Sequence, residues 1–449
     1  MTQDITFEQK NKLNDEKVFR DPVHDYIHVN DQLIMDLINS REFQRLRRIK
    51  QLGTAQYTFH GAEHSRFSHS LGVYELTRKM INNFQRHYSD VWDDQYRLVT
   101  LCAALLHDIG HGPFSHTFEK IFDTNHEQFT IDIILQEGTE VHHILRQVSD
   151  DFPNQVASVI TGEHPNPQVV QLISSQIDAD RMDYLLRDAY FTGATYGAFD
   201  LARITRVMKP YEGGIAFSHR GMHAVEDYIL CRYQMYMQVY FHPASRGMEV
   251  TLDRLLKRAR QLYSEDKLDS HAPLLEPFFA EEHSLQDYLR IDDTTFYVAL
   301  THWTDSSDPY LSQLARMFLD RKPLKSVEFD HETDQDLVDT LRNIVENVYY
   351  DKDLFTMVNT TFDISYDYKL KQKAPIMLYY PDGSLIELGE VSKIANILSD
   401  SIHGDDRLYV PREFIKPSDQ DYMSMFAESL HEFSQYIHNG KITRPKSSN

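Results

Sequence analysis

The stretch that most constrains this chain is residues 98–116. Its first nine residues, LVTLCAALL, are too short to span a bilayer and too apolar to lie in water, so they predict a buried helix. The run passes straight into His107-Asp108-Ile109-Gly110-His111-Gly112-Pro113-Phe114-Ser115-His116. Gly110 followed by Gly112-Pro113 supplies a stop. His107 and Asp108 thus stand at the C-terminus of a packed helix, where the macrodipole favours a cation. Adjacent residues diverge by ~100° around a helix, so one ion would lie between the two side chains and need further ligands from elsewhere.

Those ligands are within reach in the sequence. His111, His116 and His126 follow and His69 precedes, and imidazole and carboxylate bind borderline and hard divalent metals. A metal-dependent phosphohydrolase is the chemistry this group predicts. Asp180, in QIDADRMDYLLRD, is the best candidate for a fourth ligand. On a helix, Asp180, Asp183, Tyr184, Arg187 and Asp188 share one broad face, although spacing alone favours a solvated charged face. A second His-Asp pair, His24-Asp25, lies in a strand-like stretch without the glycines or clustered histidines, so the dipeptide by itself proves little.

Composition narrows the function. With 449 residues and 41% hydrophobic content, the chain can bury a substantial core and form more than one lobe. No segment approaches the ~20 apolar residues of a membrane helix, and the opening MTQDITFEQK lacks the pattern of a secretory signal. No membrane association and a cytoplasmic location are expected. Cys102 and Cys231 provide neither a disulfide framework nor a zinc ribbon. A net charge of -22 repels long polyanions and disfavours nucleic acid as a partner. A small phosphate ligand would need local cations, and Arg45, Arg47, Arg48, Lys50 and Arg66 cluster near the metal candidates, with a solvated helix face as the alternative reading.

Taken in order, residues 1–17 are polar and expected to be poorly ordered, forming a flexible N-terminus. Residues 18–29 predict a hairpin turning at Asp21-Pro22. Helices are expected over residues 41–52, 70–88, 127–135, 141–148, 168–188 and 224–240, after a shorter one capped by Asn30 or Asp31. Residues 213–222 read as a small hairpin, and more helices fill 248–319. Residues 376–388 form a second hairpin around Pro381-Asp382-Gly383. The fold class expected is mainly α: a helical core over 18–327 with small hairpins, plus a smaller C-terminal α+β lobe over 328–449.

An ordered series of motifs covers residues 17–330: QRLRRIKQLG, RFSHSLGV, LLHDIGHGPFSH, NHEQ, DADRMDYLLRD and RYQMYMQVYFH. In this series the chain resembles the HD-domain deoxynucleoside triphosphate triphosphohydrolases, the family of the sterile-alpha-motif and HD-domain enzyme and its bacterial relatives. The resemblance implies that His69, His107, Asp108 and Asp180 hold one divalent ion, which Mg, Mn, Fe or Zn would equally satisfy. It implies that His111, His116 and His126 surround the α-phosphate, with His116 protonating the departing 5′-oxygen, His126 stabilising charge, and Glu119, longer than the family's aspartate, orienting the acid. His111 is alternatively a supporting histidine. Arg66, Arg181 and Arg232 match phosphate contacts. Gln51 and Asp188 would bond the 3′-OH, Leu52 and Tyr240 would crowd C2′, and Tyr184 would complete the sugar pocket.

The same resemblance implies dNTP substrates, a homotetramer and a regulatory deoxynucleotide at positions matching Gln44, Arg47, Arg321 and Lys325. Asn39 stands where the family has an aspartate and Arg20 where it has an asparagine, so the activator's base preference is open. Two rivals remain: an HD-class phosphohydrolase acting on another nucleotide, and a catalytically silent metal-bound dNTP sensor.

Overall fold

The apolar run at 98–106 forms the helix Arg97–Leu106, buried from Val99 to Leu106. It packs between the helices Arg66–His87 and Phe152–Ile160. Each fully buried leucine of such a helix stabilises the fold by roughly 1.5–3 kcal/mol. The computed structural model describes residues 7, 11–114, 116–270, 272–349, 351–363, 374–400, 403–418, 421 and 425–444. The fold is mainly α-helical, with a few small sheets. No helix among the described residues is long and apolar enough to cross a membrane.

Around the central helix, the elements follow their sequence signals with instructive shifts. The first hairpin pairs Lys12–Asp21 with Asp25–Asp31, so residues 12–17 are strand rather than poorly ordered chain. The helix expected over 41–52 is only Arg41–Arg45, continued by a short 3-10 turn, Leu46–Arg48. The helix expected from residue 70 begins four residues earlier, as Arg66–His87, which places Arg66 and His69 in its first turn.

The segment expected as one helix over 168–188 is two, Pro167–Ile173 and Ala179–Thr192. Asp178 explains the break: its Oδ1 accepts from Arg181 N at 2.7 Å and its Oδ2 from Ser175 N at 2.7 Å, so it caps a new helix. Gly193, at φ 75, ends that helix in the left-handed conformation.

Two larger sheets complete the fold. One is a hairpin, Met208–Tyr211 with Gly214–Ser218, earlier in the chain than the 213–222 hairpin expected. It is extended in parallel by Met377–Tyr379 and then by Leu385–Glu387, the two strands of the Pro-Asp-Gly hairpin. The other has five strands in the order Ile437–His438, Lys441–Ile442, Lys325–Glu328, His403–Val410, Met357–Asp363. The lobe boundary placed at 327/328 therefore falls inside the strand Lys325–Glu328.

Candidate metal centre and active site

Three elements converge on one point. The Arg66–His87 helix delivers His69, the end of Arg97–Leu106 delivers His107 and Asp108, and the first turn of Ala179–Thr192 delivers Asp180. His69 Nε2 lies 3.1 Å from Asp180 Oδ1 and 3.6 Å from Asp108 Oδ2. His107 Nε2 lies 3.5 Å from both Asp108 Oδ1 and Asp180 Oδ1. His69, His107 and Asp108 also form a group with ligand atoms within 4.8 Å of one another.

The two Nε2 atoms test whether this group fits a metal. Both are buried and make no hydrogen bond, whereas buried polar atoms are normally satisfied. Ligand atoms each about 2.1 Å from an ion stand roughly 3.0–3.4 Å apart, and the four separations here, from 3.1 to 3.6 Å, lie close to that spacing. Each ring is also held by its far nitrogen: His107 Nδ1 by Ala104 O at 2.9 Å, and His69 Nδ1 by Asp183 Oδ2 at 2.8 Å. Burial opposes charge on His69, but the Asp180 and Asp183 carboxylates override it and push the imidazole up to about 10. A site that pulls a proton onto a buried ring so strongly is one built for positive charge, and the residues fit a divalent ion.

Beside the ligands stand the histidines of the following loop. Backbone contacts fix that loop: buried Arg45 donates to His111 O at 2.8 Å, and Tyr288 Oη donates to Gly110 O at 2.7 Å. Gly110 does not close the helix with a left-handed turn, since its φ is not positive. Instead, a Cβ there would meet Thr130 N at 2.2 Å and His126 O at 2.3 Å, so glycine permits the helix His126–Leu135 to approach. His111 and His126 stack with ring centroids 3.8 Å apart. His111 Nε2 is 3.3 Å from Asp108 Oδ1, and burial together with the Arg66 charge pushes His111 down to about 3. Glu119 Oε1 takes hydrogen bonds from His126 at Nδ1 (2.5 Å) and at the backbone N (2.9 Å). Glu119 therefore holds His126. The side chain of His116, at the start of the helix His116–Phe122, lies outside the described residues.

A row of side chains leads away from the ligands. Tyr184 lies 6.5 Å from the His69 ring and 6.1 Å from the Tyr240 ring. Tyr240 Oη donates to Asp188 Oδ2 at 2.7 Å, and His64 Nε2 lies 2.7 Å from Asp188 Oδ1. Gln51 N donates to His64 O at 3.0 Å, leaving Gln51 Oε1 buried without a hydrogen-bond partner. Leu52 is half-buried against the core.

Of the arginines, Arg66 pairs with Asp108 Oδ2, Arg181 with Asp178, and Arg232 lies over the Tyr236 ring at 5.5 Å. Buried Nε atoms of Arg181 and Arg232 make no hydrogen bond. The rest of the basic cluster read from sequence is committed elsewhere: Arg45 to backbone, Arg48 to Asp292, Lys50 to Glu63, and Arg47 over the Phe67 ring at 3.6 Å.

Gln44 accepts from Arg47 Nε at 2.9 Å, while Arg321 donates to Tyr57 O. Gln44 and Arg47 share no hydrogen bond or ion pair with Arg321 or Lys325 among the described residues. Sequence reasoning passed over His64, and it gave His24 and Asp183 no role. Each is engaged through a partner more than 100 residues away, a relation that periodicity does not carry.

The class this site defines is that of the HD-domain phosphohydrolases. The HD domain model matches residues 66–188 and the HD associated region matches 199–427, and the chain belongs to this family, which is related to the deoxynucleoside triphosphate triphosphohydrolases. It is 49% identical to the uncharacterized protein YwfO of Bacillus subtilis over 90% of this chain and 94% of that one. It is 31% identical to the deoxynucleoside triphosphate triphosphohydrolase SAMHD1 homolog of Dictyostelium discoideum, over 55% of this chain and 51% of the relative. Among solved structures, a phosphohydrolase of Bacteroides thetaiotaomicron superposes with a TM-score of 0.79 at 27% identity, covering 89% of this chain and all of that one. The fold and the family make the protein a hydrolase of the HD class.

Proposed function

We propose that this protein hydrolyses deoxynucleoside triphosphates to the deoxynucleoside and inorganic triphosphate. The observation that carries the reading is the pair of buried, unbonded Nε2 atoms of His69 and His107 facing the Asp108 and Asp180 carboxylates, with Tyr184, Tyr240, Asp188 and Gln51 in a row beside them. His69, His107, Asp108 and Asp180 would hold a divalent ion, which would supply Lewis-acid polarisation at the α-phosphoryl group. Arg66, Arg181 and Arg232 bind the phosphate oxygens, for which guanidinium forks are suited. Gln51 and Asp188 hold the 3′-OH, and Tyr240, anchored by its bond to Asp188, closes the space at C2′ against ribose.

His126, gripped by Glu119 through Nδ1, presents its other nitrogen to the phosphate. His111, held neutral, buttresses His126 by stacking. By the resemblance, His116 gives the departing 5′-oxygen its proton.

Regulation belongs to the same reading: a deoxynucleotide binds at subunit junctions of a homotetramer, at Gln44, Arg47, Arg321 and Lys325. In support, Lys325 is pushed down by its burial and by the charges of Arg412, Lys416 and Arg321, a concentration of cations unusual in a chain of net charge -22. Such a cluster calls for an anion.

The test is chromatographic product identification with each dNTP, alone and in pairs, in the presence of Mg, Mn, Fe or Zn. Triphosphate and deoxynucleoside are the expected products. Pyrophosphate or orthophosphate released from another nucleotide instead would replace this reading with that of a different HD-class activity, and dNTP binding without turnover under every metal would make the protein a sensor.

A further inference from the structure

His24, from the second His-Asp pair, which the reaction does not use, reaches the metal centre through Asp183. His24 sits in the turn between the strands Lys12–Asp21 and Asp25–Asp31, and Asp21 Oδ1 shapes the turn by accepting from Val23 N and His24 N, each at 2.9 Å. Asp25, at φ 64, leaves it through the left-handed region. The turn thereby pushes the His24 ring inward, where its Nε2 lies 2.6 Å from Asp183 Oδ1. The other oxygen of Asp183 is the one that holds His69 Nδ1 at 2.8 Å. Arg187 bonds both Asp183 oxygens at 2.9 Å and both Asp21 oxygens at 2.8 and 3.2 Å, closing a buried ring between the hairpin and the Ala179–Thr192 helix.

Proton bookkeeping gives this ring a direction. An ionised carboxylate only accepts hydrogen bonds, so His24 donates from Nε2 and His69 donates from Nδ1. A neutral His69 so bonded carries its lone pair on Nε2, the atom that faces Asp108 and Asp180. Asp183 has about four acceptor positions: Arg187 fills two, His69 one, and His24 the last. Without His24 a fully buried carboxylate is left one donor short, next to an empty space into which it can turn away from His69.

We propose that His24 is a positioning residue of the metal centre: it fixes Asp183, which fixes the tautomer and aim of His69. The proposal rests on the reading of His69, His107, Asp108 and Asp180 as ligands. Replacing a group that bonds the far nitrogen of a ligating histidine typically changes metal affinity about 10- to 100-fold, and His24 acts through such a group.

The experiment is calorimetric titration of the metal-stripped full-length chain with Mn2+ alone, followed by turnover as a function of Mn2+. His24→Ala is expected to raise the Mn2+ Kd about 10- to 100-fold, and added Mn2+ to restore part of the turnover. His24→Gln, whose amide nitrogen donates from near the place of Nε2, is expected to stay within about threefold of the wild type, whereas His24→Asn is too short and resembles alanine. A folded alanine variant that binds Mn2+ as the wild type does overturns the proposal. Should alanine prevent folding, equal affinities for the glutamine and asparagine variants overturn it. A wild-type chain that binds Mn2+ no better than His69→Ala overturns instead the metal reading beneath it.

Discussion

A histidine offers an ion one nitrogen only when something holds the other, and at the residue scale this site is a set of such pairings: His69 with Asp183, His107 with Ala104 O, His126 with Glu119. The last is a functional pairing that can be cut without removing the ring. Glu119→Gln keeps the size of the side chain but replaces with an amide the carboxylate that accepts from His126 Nδ1. Its kcat is expected to fall about 100-fold, at the lower end of what acid–base groups contribute, with Mn2+ affinity unchanged. Steady-state kinetics beside a metal titration checks this, and unaltered kcat would remove Glu119 from the site.

Asp293 shows the opposite economy, since burial pushes its carboxyl up to about 6 despite the hydrogen bond from Lys50 N at 2.9 Å. The folded state thus keeps a proton that the unfolded chain, titrating near 3.8, has lost. Stability from Asp293 is present below pH 3.8 and lost as the pH rises through about 6. Relative to wild type, Asp293→Asn should therefore gain roughly 1–3 kcal/mol between pH 4 and pH 7.5. Urea unfolding at the two pH values measures that difference, and a difference independent of pH contradicts it.

At the scale of elements, small residues set how closely the ligand-bearing helices pack. A Cβ at Gly72 would lie 1.8 Å from Asp183 Oδ1 and 2.4 Å from Arg187 Nη2, so only glycine lets Arg66–His87 meet Ala179–Thr192 with the buried network between them. Gly72→Ala is expected to destabilise the protein by roughly 1–3 kcal/mol, the usual range for overpacking, and to weaken metal binding. A thermal melt and Mn2+ titration both test this, and a variant matching wild type in both would show that the helices can part without cost.

The sequence showed why each helix exists but not how near its neighbour comes. The central helix was legible because a run with eight apolar residues out of nine has nowhere else to go, and His69, His107, Asp108 and Asp180 were legible as a motif series. Gly110 was read as a helix stop, and its role as a packing surface for His126–Leu135 depends on a partner the local sequence does not mention. The break at Asp178 was missed because apolar spacing runs on through residues 168–188 while the capping bonds that interrupt it are made by one carboxylate.

For the whole molecule, the connections between core and C-terminal region bear on what can fold alone. Changing texture beyond residue 327 suggested a smaller C-terminal α+β lobe, and texture reports composition and not strand pairing. Gly214–Ser218, inside the core, pairs with Met377–Tyr379, and Lys325–Glu328 pairs with His403–Val410. Gln176 Nε2, two residues before the cap Asp178, donates to Ala374 O at 3.0 Å, and buried Glu226 Oε1 accepts from Ser392 Oγ at 2.6 Å. Cutting the chain after residue 327 would strip Gly214–Ser218 of a strand neighbour, sever the strand Lys325–Glu328 and leave its residues 325–327 unpaired, and expose the apolar faces both had covered. Exposed strand edges of that kind favour association over folding. The truncated chain is thus expected to aggregate or to melt well below the full-length protein, and to bind Mn2+ poorly even though His69, His107, Asp108 and Asp180 are all present. Size-exclusion chromatography and a thermal melt of residues 1–327 decide the matter: a monodisperse fragment with wild-type metal affinity would mean that the metal centre draws none of its order from the C-terminal strands.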